Sequence, residues 1–258
     1  MELITIITAT LNAKSQLVRT YESILQSTYI PIEWIVIDGG STDGTIGFLN
    51  KNRLCTWISE KDDGIYDAWN KGLDLAHGEW IIFLGAGDLL NKNWLTEAIK
   101  AYKFEGKPYN IIYSNQYFIG NGDVILGKRK AFSWKKTSSN LKKYMCLPHA
   151  GLLHHRSIFI HTRFNKHFNI VSDWLFFIKN PSLEGLFLRK SIMANVLIGG
   201  ISSSLKSMDM HYSEYRILVD LEFAEKSFIQ TIKWKIKIIL IKNPFLYNLA
   251  KKLWLKIQ

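Results

Sequence analysis

Four aspartates stand where a carboxylate side chain can do chemistry. Asp38, Asp63 and Asp88 each come shortly after an apolar segment, and Asp173 precedes the apolar run WLFFI. Carboxylates bind divalent cations, accept hydrogen bonds from hydroxyl and N–H groups, and take protons from attacking hydroxyls. The sequence therefore predicts a site for cation binding or acid–base chemistry, provided that the fold brings these side chains together.

The segments that precede these aspartates alternate between strand and helix patterns. Strands are predicted at residues 3–8, 34–37, 56–59 and 80–84, and helices at 14–26 and 65–76. This alternation indicates βαβ units and a parallel sheet, whose carboxyl edge binds ligands. Thr8, Ala9, Thr10 and Asn12 follow the first strand, and Asn12 is also a candidate N-cap of the first helix. Four polar loops should meet at that edge.

The second half of the chain has a weaker pattern. Residues 93–105 form a predicted helix that ends at Gly106, and residues 110–117 and 123–126 form a predicted hairpin. The lysine- and serine-rich residues 133–143 are predicted to form a mobile surface loop.

The composition is that of a folded globular protein. Of the 258 residues, 47% are apolar and 21% are charged, which excludes a disordered or collagen-like chain. Lysine and arginine exceed aspartate and glutamate by 33 to 22. Residues 226–258 contain eight lysines and no acid, so much of the excess belongs to this tail.

Cysteine content and hydropathy indicate the cellular compartment in which we expect the protein. Cys55 and Cys146 form neither a zinc-ligand pattern nor a disulfide framework, so a reducing environment is expected. The N-terminal segment lacks the basic region of a signal peptide, and no apolar run approaches the roughly 20 residues that cross a bilayer. We expect a cytoplasmic chain without a membrane-spanning segment.

A dinucleotide-binding fingerprint is suggested by Gly85-Ala86-Gly87 after the fourth strand. The third glycine of that fingerprint would fall on Leu90, and the first strand continues into a segment without glycines. The sequence therefore does not support a dehydrogenase.

Four motifs in succession resemble those of the family 2 glycosyltransferases of bacterial polysaccharide synthesis. They read IITATLN (6–12), IVIDGGSTDGT (35–45), EKDDGIYDAWNKG (60–72) and GEWIIFLGAGD (78–88). A thinner likeness continues through PH (148–149), VSDW (171–174) and IGGIS (198–202). The resemblance thus covers about residues 1–205.

The resemblance implies a GT-A fold, in which a Rossmann-like, mostly parallel sheet is flanked by helices. Residues 1–105 would form the half that binds a nucleotide-sugar, usually a UDP-sugar, and residues 106–205 the acceptor half. It also implies Mg²⁺ or Mn²⁺ at an acidic motif, which neutralises the diphosphate as it leaves. Here Asp88 is the only acid of that motif, and its alternative role is to cap the loop before the helix that begins near Asn91.

The resemblance also assigns residues to the nucleotide. Asp38 would accept hydrogen bonds from the uridine, although an Asx-type turn explains it as well. Thr8, Ala9, Thr10 and Asn12 would line the base and ribose. The same comparison places Asp63, Asn70 and Lys71 near the nucleotide and diphosphate, with a solvated helix face as the alternative for Lys71.

Asp173 matches the family position of the catalytic base. Inverting sugar transfer needs a carboxylate that takes the proton from the acceptor hydroxyl. An N-cap is the structural alternative for Asp173, since an apolar helix follows it. His149 matches a histidine that lines the acceptor site, and a buried core histidine is its alternative.

Residues 206–258 are predicted to form a helical, basic and amphipathic extension. Tryptophans and aliphatic residues among lysines favour contact with an anionic membrane over packing on the domain, and nucleic acid is not expected as a partner. The sequence as a whole predicts a glycosyltransferase, peripheral on the inner face of the membrane, that acts on a glycan or polyprenyl-linked acceptor in capsule, O-antigen or exopolysaccharide synthesis. A non-catalytic, membrane-associated protein that binds sugar nucleotides is the alternative.

Overall fold

A computed structural model describes residues 2–29, 31–52, 54–199, 207–226 and 231–232. The elements in chain order are β1 (Ile4–Thr10), α1 (Lys14–Leu25), β2 (Ile32–Asp38), α2 (Thr45–Lys51), β3 (Cys55–Ser59), α3 (Ile65–Leu75), β4 (Trp80–Phe83), β5 (Leu89–Leu90), α4 (Trp94–Glu105), β6 (Ile111–Ile119), β7 (Ile125–Arg129), α5 (Trp134–Ser138), β8 (Leu153–His155), α6 (Ser172–Lys179), β9 (Gly185–Leu197) and α7 (Met208–Asp220).

The first half of the chain forms the predicted parallel sheet. Its strands lie in the order β3-β2-β1-β4, and every neighbouring pair is parallel. The β-branched runs of β1 and β2 are buried because helices cover both faces of such a sheet. The predicted strands and helices of this half are confirmed to within a few residues, and α2 is an additional short helix.

The second half extends the same sheet with mixed pairing. β8 runs antiparallel to β4 and β6, whereas β9 runs parallel to β6. The predicted hairpin is present as β6 and β7. The expectation of a mostly parallel sheet therefore holds for β1 to β4, and the remainder of the sheet is mixed.

The prediction of a mobile loop at residues 133–143 is wrong. Residues Trp134–Ser138 form α5, and the side chains of Thr137 and Leu141 are buried. The indole N–H of Trp174 on α6 donates to the carbonyl of Leu141, which fixes the segment to the domain. The polar composition of this segment suggested a loop because its buried residues are few and irregularly spaced.

Two apolar clusters hold these layers together. The larger one surrounds the sheet and includes Leu17 of α1, Leu73 of α3 and Trp94 of α4. The smaller one joins α6 to α7 through Trp174 and Leu218. The helix α7, which lies in the predicted C-terminal extension, is thus packed against the domain, while residues 233–258 of the basic tail lie outside the described residues.

Gly78 offers a test of the close packing between β1 and the segment before β4. A Cβ atom at Gly78 would lie 2.5 Å from the backbone nitrogen of Thr5, where no side chain can give way. We expect Gly78→Ala to lower the free energy of unfolding by about 1–3 kcal/mol. The exposed Gly47 within α2 has no atom near its Cβ position, so Gly47→Ala should raise the free energy by about 0.5–1 kcal/mol. Urea unfolding of both variants measures the two changes, and equal effects would contradict the packing.

Among the residues that the structure describes, no helix is long and apolar enough to cross a bilayer.

Candidate active site

The loops after β1 and β2 are joined by side chains at the carboxyl edge of the sheet. Thr10 ends β1 directly opposite Asp38 at the end of β2. Beyond them, the Oδ1 atom of Asn12 accepts the N–H of Thr42 at 2.8 Å, and the N–H of Asn12 donates to Ser41 Oγ at 2.7 Å. The two loops therefore form one surface.

Asn12 does not cap α1, contrary to the prediction. It has a left-handed backbone with φ of 49°, and the N-cap residue is Ala13, whose side chain carries no acceptor. The free N–H of Lys14 instead donates to Asp43 Oδ2 at 2.9 Å. The cap of α1 thus comes from the loop after β2, which reinforces the joint between the loops.

Asp38 is fully buried, and its carboxylate is engaged in the turn that follows β2. It accepts the N–H groups of Gly40 at 3.0 Å and Ser41 at 2.9 Å, and the hydroxyls of Ser41 and Ser59. This is the Asx-type turn that the sequence left open as the alternative role. Asp38 shapes the loop, and a direct bond to uridine stays a prediction that these contacts do not support.

The three residues at the end of β1 differ in what they offer a ligand. Thr8 is buried in the core, where its Oγ1 accepts the indole N–H of Trp34 at 3.0 Å. Ala9 is partly buried. Thr10 is 6% exposed, and its Oγ1 has no hydrogen-bond partner among the described residues. A buried hydroxyl without a partner is rare in native proteins and fits a polar group of a ligand at this edge.

Asp62, rather than the adjacent Asp63, is the acid that faces the β2 loop, and contact of Asp63 with a nucleotide stays a prediction. Asp62 accepts the N–H of Gly64 at 3.1 Å, and a Cβ atom at Gly39 would lie 2.9 Å from Asp62 Oδ2. Asp63 is exposed, and its carboxylate lies 3.8 Å from Lys166 Nζ. The motif gives two adjacent acids, and only the backbone of the turn decides which of them points inward.

Asn70 and Lys71 on α3 are engaged in structural contacts. The amide of Asn70 bonds the N–H and carbonyl of Phe164 at 3.1 and 2.8 Å. Lys71 Nζ lies 2.7 Å from Glu60 and 3.5 Å from Asp67. Asn70 therefore anchors a neighbouring loop, and Lys71 is an ion-paired residue rather than part of a solvated helix face. Their contact with a nucleotide stays a prediction.

Asp88 closes the loop after β4 against the end of β9. Its Oδ1 accepts the N–H of Leu197 at 2.9 Å, and its Oδ2 accepts the N–H of Gly85 at 3.2 Å. Burial raises the pKa of Asp88 to about 7, and no neighbouring charge changes that pKa. These hydrogen bonds fit the alternative of a loop-capping aspartate, although the N-cap residue of α4 is Asn93.

Asp88 fits a single-carboxylate cation site. Within the described ranges, no group of three His, Cys, Asp or Glu side chains is placed to hold a metal ion. A carboxylate has about four acceptor positions, and Asp88 uses two of them. It can therefore contribute one oxygen to a divalent ion whose other ligands are phosphate and water.

Asp173 lies near the same edge of the sheet and contacts α3. Its Oδ1 lies 3.0 Å from the hydroxyl of Tyr66, which also lies 2.6 Å from the carbonyl of Ile170. Tyr66 stands in the first turn of α3, which begins where the loop after β3 ends. Asp173 is not the N-cap of α6, because that position is Val171. Burial raises the pKa of Asp173, while the Trp174 N–H and the Tyr66 hydroxyl lower it.

His149 is a buried residue of an aromatic cluster. Its ring stacks on Trp69 at 5.0 Å and on Phe83 at 5.5 Å, measured between ring centres. Burial lowers its pKa to about 3, so the imidazole is neutral. These contacts match the core alternative that the sequence left open, and its role toward an acceptor stays a prediction.

Comparison with known proteins identifies the family. Residues 5–168 match the model of glycosyl transferase family 2, which is more than half of the chain. The chain belongs to glycosyltransferase family 2. The resemblance stated from the motifs is therefore confirmed, and so is the assignment as an enzyme of the glycosyltransferase class.

Curated relatives of this glycosyltransferase include proteins that are 30% and 36% identical over the aligned residues. A PGL/p-HBAD biosynthesis glycosyltransferase of Mycobacterium bovis is 30% identical over 214 residues, which cover 78% of this chain and 79% of that protein. The Escherichia coli UDP-Glc:alpha-D-GlcNAc-diphosphoundecaprenol beta-1,3-glucosyltransferase WfaP is 36% identical over 132 residues, 49% of this chain and 51% of WfaP.

Solved structures of other glycosyltransferases share the fold. Staphylococcus aureus TarS 1-349 in complex with UDP-GlcNAc has a TM-score of 0.65 at 16% identity and covers 95% of this chain and 73% of that chain. The mannosyltransferase PcManGT from Pyrobaculum calidifontis, in complex with GDP-Man and Mn2+, has a TM-score of 0.59 at 13% identity, with 98% and 73% covered. The predicted GT-A fold is confirmed.

Glu214 on α7 is a buried acid that belongs to none of the motifs of this glycosyltransferase. Its carboxylate accepts the N–H groups of Asn169 at 2.7 Å, Ile170 at 2.9 Å and Val171 at 3.1 Å. These residues lead directly to Asp173, so Glu214 positions the aspartate. An acid on a polar amphipathic helix gives no sequence signal for this role, because its partners are backbone groups of another segment.

We expect Glu214→Ala to lower the free energy of unfolding by about 2–4 kcal/mol, since it leaves backbone N–H groups without an acceptor. Asp220→Ala, on the exposed surface of the same helix, is the matched control and should change it by less than about 0.5 kcal/mol. Thermal and urea unfolding measure the difference. Equal effects in both variants would show that Glu214 does not hold this loop.

Proposed function

We propose that this protein is an inverting glycosyltransferase that moves a hexose or N-acetylhexosamine from a UDP-sugar to a lipid-linked glycan. Capsule, O-antigen or exopolysaccharide synthesis is the setting in which such a transfer occurs. The observation that carries the proposal is the carboxylate of Asp173, held by Tyr66 near the edge where the polar loops meet. The fold and the family support the proposal that sugar transfer takes place at this edge of the sheet.

The donor would bind over the loops after β1, β2 and β4. Thr10 offers a buried hydroxyl without a protein partner, and the linked loops of Asn12 and Ser41 form a fixed surface beside it. A UDP-sugar suits this surface because uracil and ribose both carry donors and acceptors for such groups. TarS binds UDP-GlcNAc and PcManGT binds GDP-Man on the same fold, which supports a nucleotide-sugar donor here.

Asp88 would hold a divalent cation, Mg²⁺ or Mn²⁺, together with the diphosphate of the donor. When bound, the cation neutralises the charge that develops on the leaving diphosphate. Asp88 must lose its proton to bind the cation, and its pKa of about 7 makes that exchange possible near neutral pH. The mannosyltransferase PcManGT, crystallised with Mn2+, supports metal use in this fold.

Asp173 would act as the general base. Its carboxylate accepts the proton of an acceptor hydroxyl while the hydroxyl oxygen attacks the anomeric carbon opposite the leaving diphosphate, so that the configuration inverts. A pKa raised by burial makes Asp173 a stronger base than an exposed aspartate. The Tyr66 hydroxyl fixes one oxygen, which leaves the other for the acceptor.

The acceptor would be a glycan carried by a polyprenyl diphosphate. The relative WfaP acts on a GlcNAc-diphosphoundecaprenol, which supports this class of acceptor. The basic residues 226–258 would bring the enzyme to an anionic membrane surface, where such acceptors reside. Peripheral association with the inner face of the membrane is part of this proposal.

Tyr66→Phe tests the coupling of Tyr66 to the base. The hydroxyl lowers the pKa of Asp173, so its removal should raise that pKa. Because the base acts only when deprotonated, we expect the acid limb of the kcat/KM profile to move to higher pH. Tyr21→Phe, at a partly buried tyrosine stacked on Trp34 of β2, is the matched control. A profile of Tyr66→Phe that overlays that of the wild type would contradict the coupling.

The proposed function is tested by measuring UDP release. UDP- and GDP-sugars are supplied in turn with a lipid-linked acceptor, with and without Mn²⁺. Release that depends on one UDP-sugar and on the acceptor supports the proposal. Binding of UDP without turnover for any donor would favour the non-catalytic sugar-nucleotide binding protein instead, and release of GDP alone would assign a different donor.

A further inference from the structure

Arg129, at the end of β7, is directed into the protein rather than toward solvent. Its Nη2 atom donates to the carbonyls of Met145 at 3.4 Å and Leu147 at 3.3 Å, and the residue is partly buried. Burial lowers the pKa of Arg129, although a guanidinium remains charged at neutral pH. The chain thus places a positive charge inside the domain at the cost of part of its hydration.

None of the aspartates and glutamates forms an ion pair with this charge, although the negative charge of Asp173 acts on it from beyond 4.0 Å. All 22 acids of the chain lie among the described residues, and none of them is within 4.0 Å of the Arg129 guanidinium. Arg19 and Arg163, by contrast, each pair with an aspartate at the surface. The Nε and Nη1 atoms of Arg129 have no hydrogen bond to a described residue, and neither is sealed from solvent. These donors are therefore available to a ligand.

Arg129 is linked to the segment that packs on the neighbour of the proposed base. Met145, whose carbonyl Arg129 binds, packs against the cluster that contains Trp174, the neighbour of Asp173. The charge of Arg129 also lowers the pKa of Asp173 and of His149, whereas the pKa of Asp88 is set by burial and backbone groups. A ligand on Arg129 would thus sit on the acceptor side of the reaction.

We propose that Arg129 binds a phosphate group of the acceptor, at the diphosphate that joins its first sugar to the lipid. This inference rests on the proposed function. The planar N–H donors of a guanidinium match two phosphate oxygens, and an anionic ligand supplies the close ion pair that no aspartate or glutamate provides. With that diphosphate on Arg129, the hydroxyl that Asp173 deprotonates would belong to the sugar attached to it. The diphosphate of the nucleotide-sugar donor is the other group whose phosphate oxygens could bind Arg129.

The test compares two acceptors that differ in charge. One is a monosaccharide linked by a diphosphate to a short polyprenyl chain, and the other is the same sugar linked to the same chain as a neutral glycoside. Both acceptors are assayed with wild type, Arg129→Gln and Arg129→Lys. The assay pH lies on the plateau of each pH–rate profile, where the rate no longer depends on pH. Arg189→Gln, at an exposed arginine, is the matched control.

We expect Arg129→Gln to raise KM for the diphosphate acceptor by about 10- to 100-fold, the value of a charge-assisted hydrogen bond. The preference for the diphosphate acceptor over the neutral one should shrink by the same factor, and Arg129→Lys should restore part of it. KM for the donor should stay within about twofold. An equal loss with both acceptors would overturn the proposal in favour of support for the segment of Met145 and Leu147. A raised donor KM would assign Arg129 to the donor diphosphate.

A binding measurement separates this inference from the proposed function. A short polyprenyl diphosphate and the corresponding alcohol are titrated onto wild type and Arg129→Gln by calorimetry, with no donor present. We expect the diphosphate to bind wild type about tenfold or more tightly than the variant, whatever the turnover. Equal affinity in the two proteins would overturn the assignment of Arg129 even if the enzyme proves to be active.

Discussion

Asp173→Asn should lower turnover by about 10² to 10⁴ while the affinity for UDP stays unchanged. An asparagine oxygen can still accept the hydrogen bonds of Tyr66 and of the Trp174 N–H, so the local structure is retained. The amide cannot take the proton of the acceptor hydroxyl. The measurements are steady-state rates of sugar transfer and calorimetric titration with UDP.

Asp220→Asn is the control for Asp173→Asn, because it makes the same chemical change on the exposed face of α7. It should leave both rate and affinity unaltered. An Asp173→Asn protein with wild-type turnover would remove Asp173 from the mechanism. A loss of UDP affinity equal to the loss of rate would instead indicate a damaged donor site.

Asp88→Asn should abolish the effect of Mn²⁺ on UDP binding and lower turnover by about 10² or more. Neutralisation of the leaving diphosphate by a cation is worth several kcal/mol, and each 1.36 kcal/mol is about tenfold in rate. The asparagine oxygen can still accept the Leu197 N–H, which preserves the closure of the loop. Calorimetry with UDP at increasing Mn²⁺, together with transfer rates, measures both effects.

Asp63→Asn tests whether Asp63, rather than Asp88, holds the cation. Asp63 is exposed and faces Lys166, so its replacement should not change the response to Mn²⁺. If Asp88→Asn kept the full metal effect and Asp63→Asn lost it, the cation site would lie at the loop after β3. The single-carboxylate site at Asp88 would then be wrong.

The parallel half of the fold could be predicted because its signals are local. The β-branched runs of β1 and β2 are buried on both faces, and each ends at a polar loop, so pattern alone locates them. The strands β6, β8 and β9 could not be ordered in this way. β8 has three residues, and β9 pairs with β6 across more than 70 positions of the chain, which no short pattern encodes.

The motifs point to one edge of the sheet, but they do not give the contacts that each side chain makes there. The types of Asp38 and Asn70 match a nucleotide site, yet the structure engages one in its own turn and the other with the backbone of Phe164. The contact of Tyr66 with Asp173 joins residues 107 positions apart. Glu214 acts on backbone N–H groups, which leave no trace in residue types. Such pairings depend on tertiary packing and appear only once the chain is folded.

The most direct test of sugar transfer by this protein is the anomeric configuration of its product. The purified enzyme is incubated with an α-linked UDP-sugar and a lipid-linked acceptor, and the new linkage is read from its NMR coupling constants. In-line attack with Asp173 as base predicts a β linkage, formed about 10² to 10⁴ times more slowly by Asp173→Asn. An α linkage, or release of free sugar without transfer to the acceptor, would contradict the mechanism.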